Sequence, residues 1–148
     1  MLCTFFGHRD TPDSIRIPLT AVLEYLIQNA GVQEFYVGNQ GNFDRLVYQA
    51  LENLKPVYSQ ITYHVVLPYL PQKKQEHSFY SPERTLFPEE LEQVPPRYAI
   101  SRRNRWMVQK ADFVVCYLSR NYGGAAQFVR YAGKKGKHII NLQSWSRT

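Results

Sequence analysis

The chain lacks any apolar run close to the roughly 20 residues that a membrane-spanning helix needs. Its first residues also lack the basic region and cleavage site of a signal peptide, and residues 1–6 predict a first strand instead. Cysteine is scarce: Cys3 and Cys116 both fall within predicted buried strands, where reduced thiols need no further role. We therefore expect a cytosolic protein with no membrane partner.

Metal-ligand patterns, internal repeats, low-complexity tracts and inter-domain linkers are missing as well. No two of the four histidines show ligand spacing with an acid or a cysteine, so no metal site is predicted. The 148 residues, of which 44% are hydrophobic and 20% charged, suffice for one domain with a substantial core. We therefore predict a single domain over residues 1–148.

Acidic residues are almost absent from the C-terminal third. Residues 97–148 hold 11 Lys/Arg and one acid, Asp112, whereas residues 1–96 hold 7 Lys/Arg and 11 acids. The formal net charge of +6 is thus divided into +10 and −4. Such a basic region suggests an anionic partner, either a small phosphate-containing ligand or nucleic acid. A solvated basic face on the last two helices is the alternative.

Strand-like and helix-like stretches alternate along the chain. Apolar residues recur at helical spacing over 18–30, with Pro18 at the start of this helix and Gly31 just past its end. The alternation predicts an α/β fold, a single-domain Rossmann-like three-layer sandwich with a five-stranded, mainly parallel sheet. Right-handed crossovers favour the strand order 3-2-1-4-5. The predicted strands lie at about 2–6, 34–37, 61–67, 112–118 and 138–142, and the predicted helices at about 18–30, 42–54, 97–110 and 124–135.

Residues 68–97 interrupt this alternation. They hold six of the nine prolines and four aromatic residues, including Tyr69. Long irregular segments in compact domains are often lids or binding loops, and this one begins at the end of the third predicted strand. We expect part of it to cover a ligand, with an aromatic ring stacked on a base. The alternative is a packed connecting loop that its aromatic residues anchor to the body.

Glycine-bearing breaks follow three of the predicted strands. They lie at Gly7, at residues 38–41 and at residues 123–124, and a helix-like stretch follows each of them. In an open α/β sheet, ligands bind where the carboxyl ends of the strands meet such loops. Glycine lets the backbone approach a phosphate, and the following helix presents unpaired N–H groups. The pattern predicts a site for a nucleotide or a sugar-phosphate.

The side chains near these breaks suit a phosphate-containing ligand. His8 and Arg9 follow the first strand, and arginine makes paired, charge-assisted bonds to phosphate. Asp44 could cap the second helix or hold a ribose hydroxyl, and both interpretations stay open. Arg102, Arg103 and Arg105 repel one another unless an anion or acids offset them, so they predict either a phosphate contact or a solvated face near distant glutamates. In the same stretch, Trp106 and Met107 are expected in the core.

These residues, in this order, resemble the SLOG superfamily of Rossmann-like nucleotide-binding domains, and within it the small YpsA-like group. The resemblance covers nearly the whole chain and rests on segments 4–9, 38–44, 67–72, 103–107, 112, 123–124 and 131–140. It implies a nucleotide-derived ligand, such as ADP-ribose or NAD, that is sensed or sequestered, and no certain cofactor. Gly7, Gly41, Gly123 and Gly124 would then cradle phosphate, Arg9, Arg103 and Arg105 would neutralise it, and Asn39 and Asp44 would address the ribose. The remaining candidate ligand-binding residues are His8, Gly38, Tyr69, Gln72 and Asn104.

The same stretch is similar to the LOG-type nucleoside-monophosphate phosphoribohydrolases. Their pattern pairs an arginine, followed four residues later by a methionine, with Gly-Gly-x-Gly-Thr-x-x-Glu. Here Arg103, Met107 and Gly123-Gly124 match, whereas Arg130 stands at the position of the glutamate. N-glycosidic hydrolysis needs a carboxylate, which arginine does not supply. This departure speaks against LOG-type hydrolysis and leaves open whether the ligand is turned over.

Three alternatives remain beside simple binding of a small ligand. The first is hydrolysis of an N-glycosidic bond with an acid from another loop, Asp10 or Asp44. The second is nucleic-acid binding through the basic C-terminal third, which charge alone supports. The third is a homodimer, whose surface exposed tyrosines and the basic helix could form, by analogy with related Rossmann-like binders, which often associate.

Overall fold

The computed structural model describes residues 1–70 and 80–146. The described residues form a parallel sheet of six strands with four α-helices on its faces. Short 3-10 turns lie at Asp13–Ile15, Pro82–Arg84 and Glu89–Leu91. The strands are β1 (Leu2–Gly7), β2 (Glu34–Val37), β3 (Thr62–Val66), β4 (Thr85–Leu86), β5 (Phe113–Tyr117) and β6 (His138–Asn141). The helices are α1 (Arg16–Asn29), α2 (Gly41–Leu54), α3 (Pro96–Lys110) and α4 (Gly124–Lys134).

The predicted Rossmann-like α/β architecture and its strand order are confirmed. The strands lie in the order β4-β3-β2-β1-β5-β6, which contains the predicted 3-2-1-4-5 arrangement, because β5 and β6 are the fourth and fifth predicted strands. The predicted number of five strands is wrong. The additional strand, β4, pairs Thr85 and Leu86 with Val65 and Val66 at the edge of the sheet. Two residues are too few to show a strand pattern, and they lie in the segment that we expected to be irregular.

One helical layer covers each face of the sheet. α1 and α2 pack together over one face, which includes Phe5 and Phe35, and α3 and α4 pack together over the other, which includes Phe6 and Val114. Parallel strands buried on both faces are expected to be apolar without alternation, and the run from Phe113 to Tyr117 shows this. The sheet is therefore the middle layer of a three-layer domain.

Local signals set the helix ends. Gly31 has a φ of +70°, and beyond it the N–H of Val32 donates to the carbonyl of Leu26 at 3.2 Å, which ends α1. Pro96 is the first residue of α3, where a backbone N–H has no partner within the helix, so proline costs no helical hydrogen bond.

Two expectations about core residues are confirmed and one is corrected. Cys3 and Cys116 are buried free thiols, and burial raises the pKa of Cys116 to about 12. Met107 is buried as expected. Trp106, expected in the core, is only half-buried: it packs against the core cluster beneath α3 and α4, and its ring stacks on that of Tyr36 at a centroid distance of 5.3 Å.

All six strands run in the same direction, so their carboxyl ends meet at one edge of the sheet. β1 lies between β2 and β5, and the chain passes from one side of β1 to the other between β4 and β5. Ligands of open α/β sheets bind in the crevice at such a switch point. No helix in residues 1–70 and 80–146 is both long enough and apolar enough to cross a bilayer.

Candidate functional site at the carboxyl edge of the sheet

The loops that follow β1 and β5 are tied together across the switch point. The N–H of Ser119 donates to Nε2 of His8 at 3.2 Å, and Arg120 forms an ion pair with Asp10 at 3.3 Å. Burial and the nearby Arg120 charge hold the pKa of His8 below its usual value, although Asp10 opposes them. The imidazole is therefore neutral, with Nε2 as an acceptor. This bond brings the loop after β1 beside the loop that leads into α4.

Packing within the protein explains two of the glycines that we predicted to cradle phosphate. A β-carbon on Gly7 would lie 2.2 Å from the ring of Phe43. Gly41 has a φ of +87°, and a β-carbon there would lie 2.6 Å from Cα of Arg9, whose carbonyl accepts the N–H of Asn42 at 2.9 Å. The fold therefore requires glycine at both positions, whatever ligand binds.

Arg103 of α3 is a buried connector between the ends of β2 and β3. Only 1% of its surface is exposed. Nη1 donates to Oδ1 of Asn39 and to the carbonyl of Val66, and Nε donates to Oδ1 of Asn104, each at 2.8 Å. Burial lowers the pKa of the guanidinium, and the nearby Asp44 opposes this shift. These donors bond to protein oxygen atoms, so Arg103 fixes the loops at the edge before any ligand arrives.

Asp44 lies beside Arg103 and caps the start of α2. Its Oδ2 accepts the N–H of Gln40 at 2.9 Å, so the structure shows the capping bond, whereas contact with a ribose stays a prediction. Burial raises the pKa of Asp44 to about 6, against the opposing effects of the Gln40 bond and the Arg103 charge. A β-carbon on Gly38 would lie 2.7 Å from that Oδ2 and 3.5 Å from Cζ of Arg103. Gly38 thus leaves the space in which carboxylate and guanidinium approach each other.

Two tyrosines of the irregular segment lie beside this cluster. The ring of Tyr80 contacts that of Tyr48 at 4.8 Å, and burial, followed by the Asp44 charge, raises the pKa of Tyr80 to about 12. Tyr69 is 49% exposed and near enough to Arg103 to interact with its charge. Tyr80 therefore anchors the middle of the segment to the body, while Tyr69 keeps an accessible ring. Gln72 lies outside the described residues.

The N-terminus of α4 is the open part of the edge. Gly123 has a φ of +96°, and a β-carbon on Gly123 or Gly124 would meet no described atom within 4 Å. No described side chain caps this helix, and the N–H of Gln127 donates to the carbonyl of Gly123 at 3.1 Å. Nη1 of Arg130 donates to the carbonyl of Asn121 at 3.0 Å. A cation therefore lies beside a helix terminus of positive partial charge, an arrangement that an anion would stabilise.

The structure does not bring all predicted site residues together. The residues after β2 and β3 meet around Arg103. The loop after β1 contacts Asn42 on one side and Ser119 on the other, and the glycines before α4 lie across the switch point. Arg105 belongs to neither group, since it is exposed on the outer side of α3, with its guanidinium 5.9 Å from the ring centroid of Tyr131. Sequence analysis missed Ser119 and Arg120 as edge residues. Their position directly after the fourth predicted strand is the signal that could have found them.

Sequence comparison adds no relative to this picture. No protein-family model matches the chain, and no curated protein matches it. The geometry of the edge and the motifs that occupy it therefore carry what can be inferred about function.

Proposed function

We propose that this chain is a cytosolic protein that binds a nucleotide or a nucleotide-derived ligand, such as ADP-ribose or NAD, and senses or sequesters it. The observation that carries the proposal is the Arg130 guanidinium beside the open Gly123-Gly124 terminus of α4. The resemblance to SLOG domains supports the same class of ligand. The Rossmann-like edge supplies the place where such ligands bind.

A phosphate at this terminus would accept hydrogen bonds from N–H groups of the first turn of α4, which have no partner inside the helix. Gly124 does not have a positive φ, and no described atom occupies the position of its missing β-carbon. Packing among the described residues therefore gives no reason for glycine at 124. A phosphate that closely approaches the backbone does give one.

The surroundings of this terminus suit the rest of a nucleotide. The ring of Tyr122 is 67% exposed, and Cζ of Arg120 lies 5.6 Å from its centroid. An exposed aromatic ring next to a phosphate site is suited to stacking with a base. Asn39 and Asp44, the residues predicted to address the ribose, follow β2 on the other side of β1, where Arg103 and Gln40 already bond to them.

A thermal-shift screen with nucleotides, NAD and ADP-ribose tests the proposal. A ligand that binds the folded state raises the melting temperature by mass action, so we expect at least one clear increase. Arg130→Gln should weaken that ligand about tenfold or more, or about 1.4 kcal/mol. Lys134→Gln is the matched control, since it removes the same charge from the exposed side of the same helix and should keep the affinity. No shift and no calorimetric heat across the panel would contradict the proposal.

A nucleotide-processing hydrolase is the second candidate, and Asp44 is the observation that favours it. The carboxyl lies after β2 at the carboxyl edge of the sheet, next to Gly38 and Arg103. A pKa raised by burial to about 6 suits the proton transfer that cleavage of an N-glycosidic bond requires. Chromatography of nucleoside monophosphates or NAD after incubation would detect the product. Turnover that Asp44→Asn abolishes while binding persists would establish the enzyme, and recovery of intact ligand would exclude it.

A further inference from the structure

The layer formed by α3 and α4 carries a strongly basic outer surface. Besides the buried Arg103, α3 holds four exposed Lys/Arg and α4 holds two, and neither helix contains an acidic residue. On the opposite face, α1 and α2 together hold two arginines and three acids. The positive charge of the chain therefore accumulates on one face of the sheet, which the proposed ligand at the edge does not explain.

The exposed cations of this layer have no carboxylate partner within the described part of the chain, where the one ion pair joins Arg120 and Asp10. Two of them lie over one aromatic ring instead. Cζ of Arg105 and Nζ of Lys135 lie 5.9 and 5.6 Å from the centroid of Tyr131, so a cation of α3 and one just past the end of α4 share this ring.

One carboxylate stands at the rim of this surface. Glu90 lines a groove of about 230 Å³ together with Arg102, Arg105 and Trp106, and it accepts the indole N–H of Trp106 at 2.6 Å. The carboxylate is thus engaged by the tryptophan, and the two arginines in the same groove remain available to an external anion.

The distribution of charge favours an extended polyanion over a small one. α3 has 15 residues and is therefore about 22 Å long, and the cations continue onto the neighbouring α4. One phosphate cannot contact positions spread over both helices. A membrane surface is a poorer match, because interfacial helices need an apolar outer face, whereas the apolar side chains of these helices are mostly buried.

We infer that this surface, the α3/α4 face, binds single-stranded nucleic acid. The planar guanidinium groups of Arg102 and Arg105 suit phosphates. Tyr98 is 51% exposed, with Cζ of Arg97 at 4.9 Å from its ring centroid, and an accessible ring beside cations is a stacking platform for bases of any sequence. The α3/α4 face consists of Tyr98, Arg102, Arg105, Tyr131, Lys134 and Lys135.

Fluorescence anisotropy with a labelled oligothymidylate of about twenty nucleotides tests this inference at several salt concentrations. Arg102→Gln with Lys134→Gln should lower the affinity about tenfold. The slope of log affinity against log salt should fall by about 0.7 for each phosphate contact removed. Arg16→Gln with Arg45→Gln is the matched control, because it removes the same charge from the α1/α2 face and should have little effect. Gly124→Ala should leave this binding unchanged, which separates the inference from the proposed function.

Four results would overturn the inference. They are an equal loss of affinity in both double variants, absence of binding at low salt, equal or tighter binding to a duplex of the same length, and a preference for vesicles that contain anionic lipid. An equal loss would show that net charge, rather than the α3/α4 face, attracts the strand.

Discussion

The two halves of the carboxyl edge use glycine for different purposes. In the closed half, at the ends of β1 and β2, the β-carbon positions of Gly7, Gly38 and Gly41 lie within 2.7 Å of other protein atoms. In the open half, at the start of α4, the positions over Gly123 and Gly124 meet no described atom within 4 Å. A glycine-rich loop at a strand end is therefore not by itself a phosphate site.

The two halves also use arginine differently. Arg103 in the closed half is buried and bonds to protein oxygen atoms that belong to two other strand ends. Arg130 in the open half is exposed and turns back to the loop before its own helix. The closed half thus holds the edge together, and the open half is free to receive an anion.

Among changes in the closed half, Arg103→Met should cause the largest loss of folding stability. The carbonyl of Val66 and Oδ1 of Asn39 would lose the hydrogen bonds from Arg103, and Asp44 would lose its nearby cation. We therefore expect a loss of about 3–5 kcal/mol in unfolding free energy. Urea denaturation measures it. Arg102→Met, on the exposed neighbour, should change stability by less than about 0.5 kcal/mol. Equal effects of the two substitutions would refute the connector role.

Gly7→Ala should have the next largest effect. Its β-carbon would enter the ring of Phe43, which is itself fully buried, so we expect a loss of about 2–3 kcal/mol from overpacking. Gly133→Ala is the control within a helix, since its β-carbon would make an ordinary 3.5 Å contact with Ile139. It should stabilise the protein by about 0.5–1 kcal/mol. If Gly7→Ala leaves the stability unchanged, the closed half is less tightly packed than described and has room for a ligand.

Acidification should cause a smaller loss of stability through His8, which links the loops after β1 and β5. The pKa of His8 is lower in the folded protein than its usual value of 6.5, so the unfolded state binds more protons near and below that pH. The His8 contribution is therefore complete above pH 6.5 and is lost as pH falls, when protonated Nε2 no longer accepts from Ser119. His8→Gln, which keeps an acceptor, should remove this part of the pH dependence of the melting temperature. If His8→Gln leaves the pH dependence of the melting temperature unchanged, His8 does not have this role.

Asp44 should have the opposite effect on stability between pH 3.8 and about 6. Its pKa rises from 3.8 to about 6 on folding, so the folded state binds more protons between these values. Stability from this group therefore falls as pH increases through that window. Asp44→Asn should abolish that slope and leave the His8 effect in place, which separates the two groups in one titration.

The sequence predicted the fold better than it predicted the site, for a physical reason. Helical and strand periodicity are local, so the elements and their order follow from neighbouring residues. The two-residue strand β4 was the strand that the sequence did not predict. The role of Gly7 depends on Phe43, which is remote in sequence. Arg102, Arg103 and Arg105 look alike in the sequence, and tertiary packing alone buries one of them and exposes the others. The helical spacing of Arg103 and buried Met107 was the one local signal of that difference.

The most direct test of the contrast between the two halves is a calorimetric titration of Gly124→Ala beside the unmodified protein, with the ligand that the thermal-shift screen identifies. Because the added methyl group meets no described atom and φ is permissive, we expect a melting temperature that is unchanged or slightly higher. Because the methyl group would occupy the space of a phosphate, we expect the affinity to fall at least tenfold. Full affinity in Gly124→Ala would contradict the assignment of the open half as the binding site.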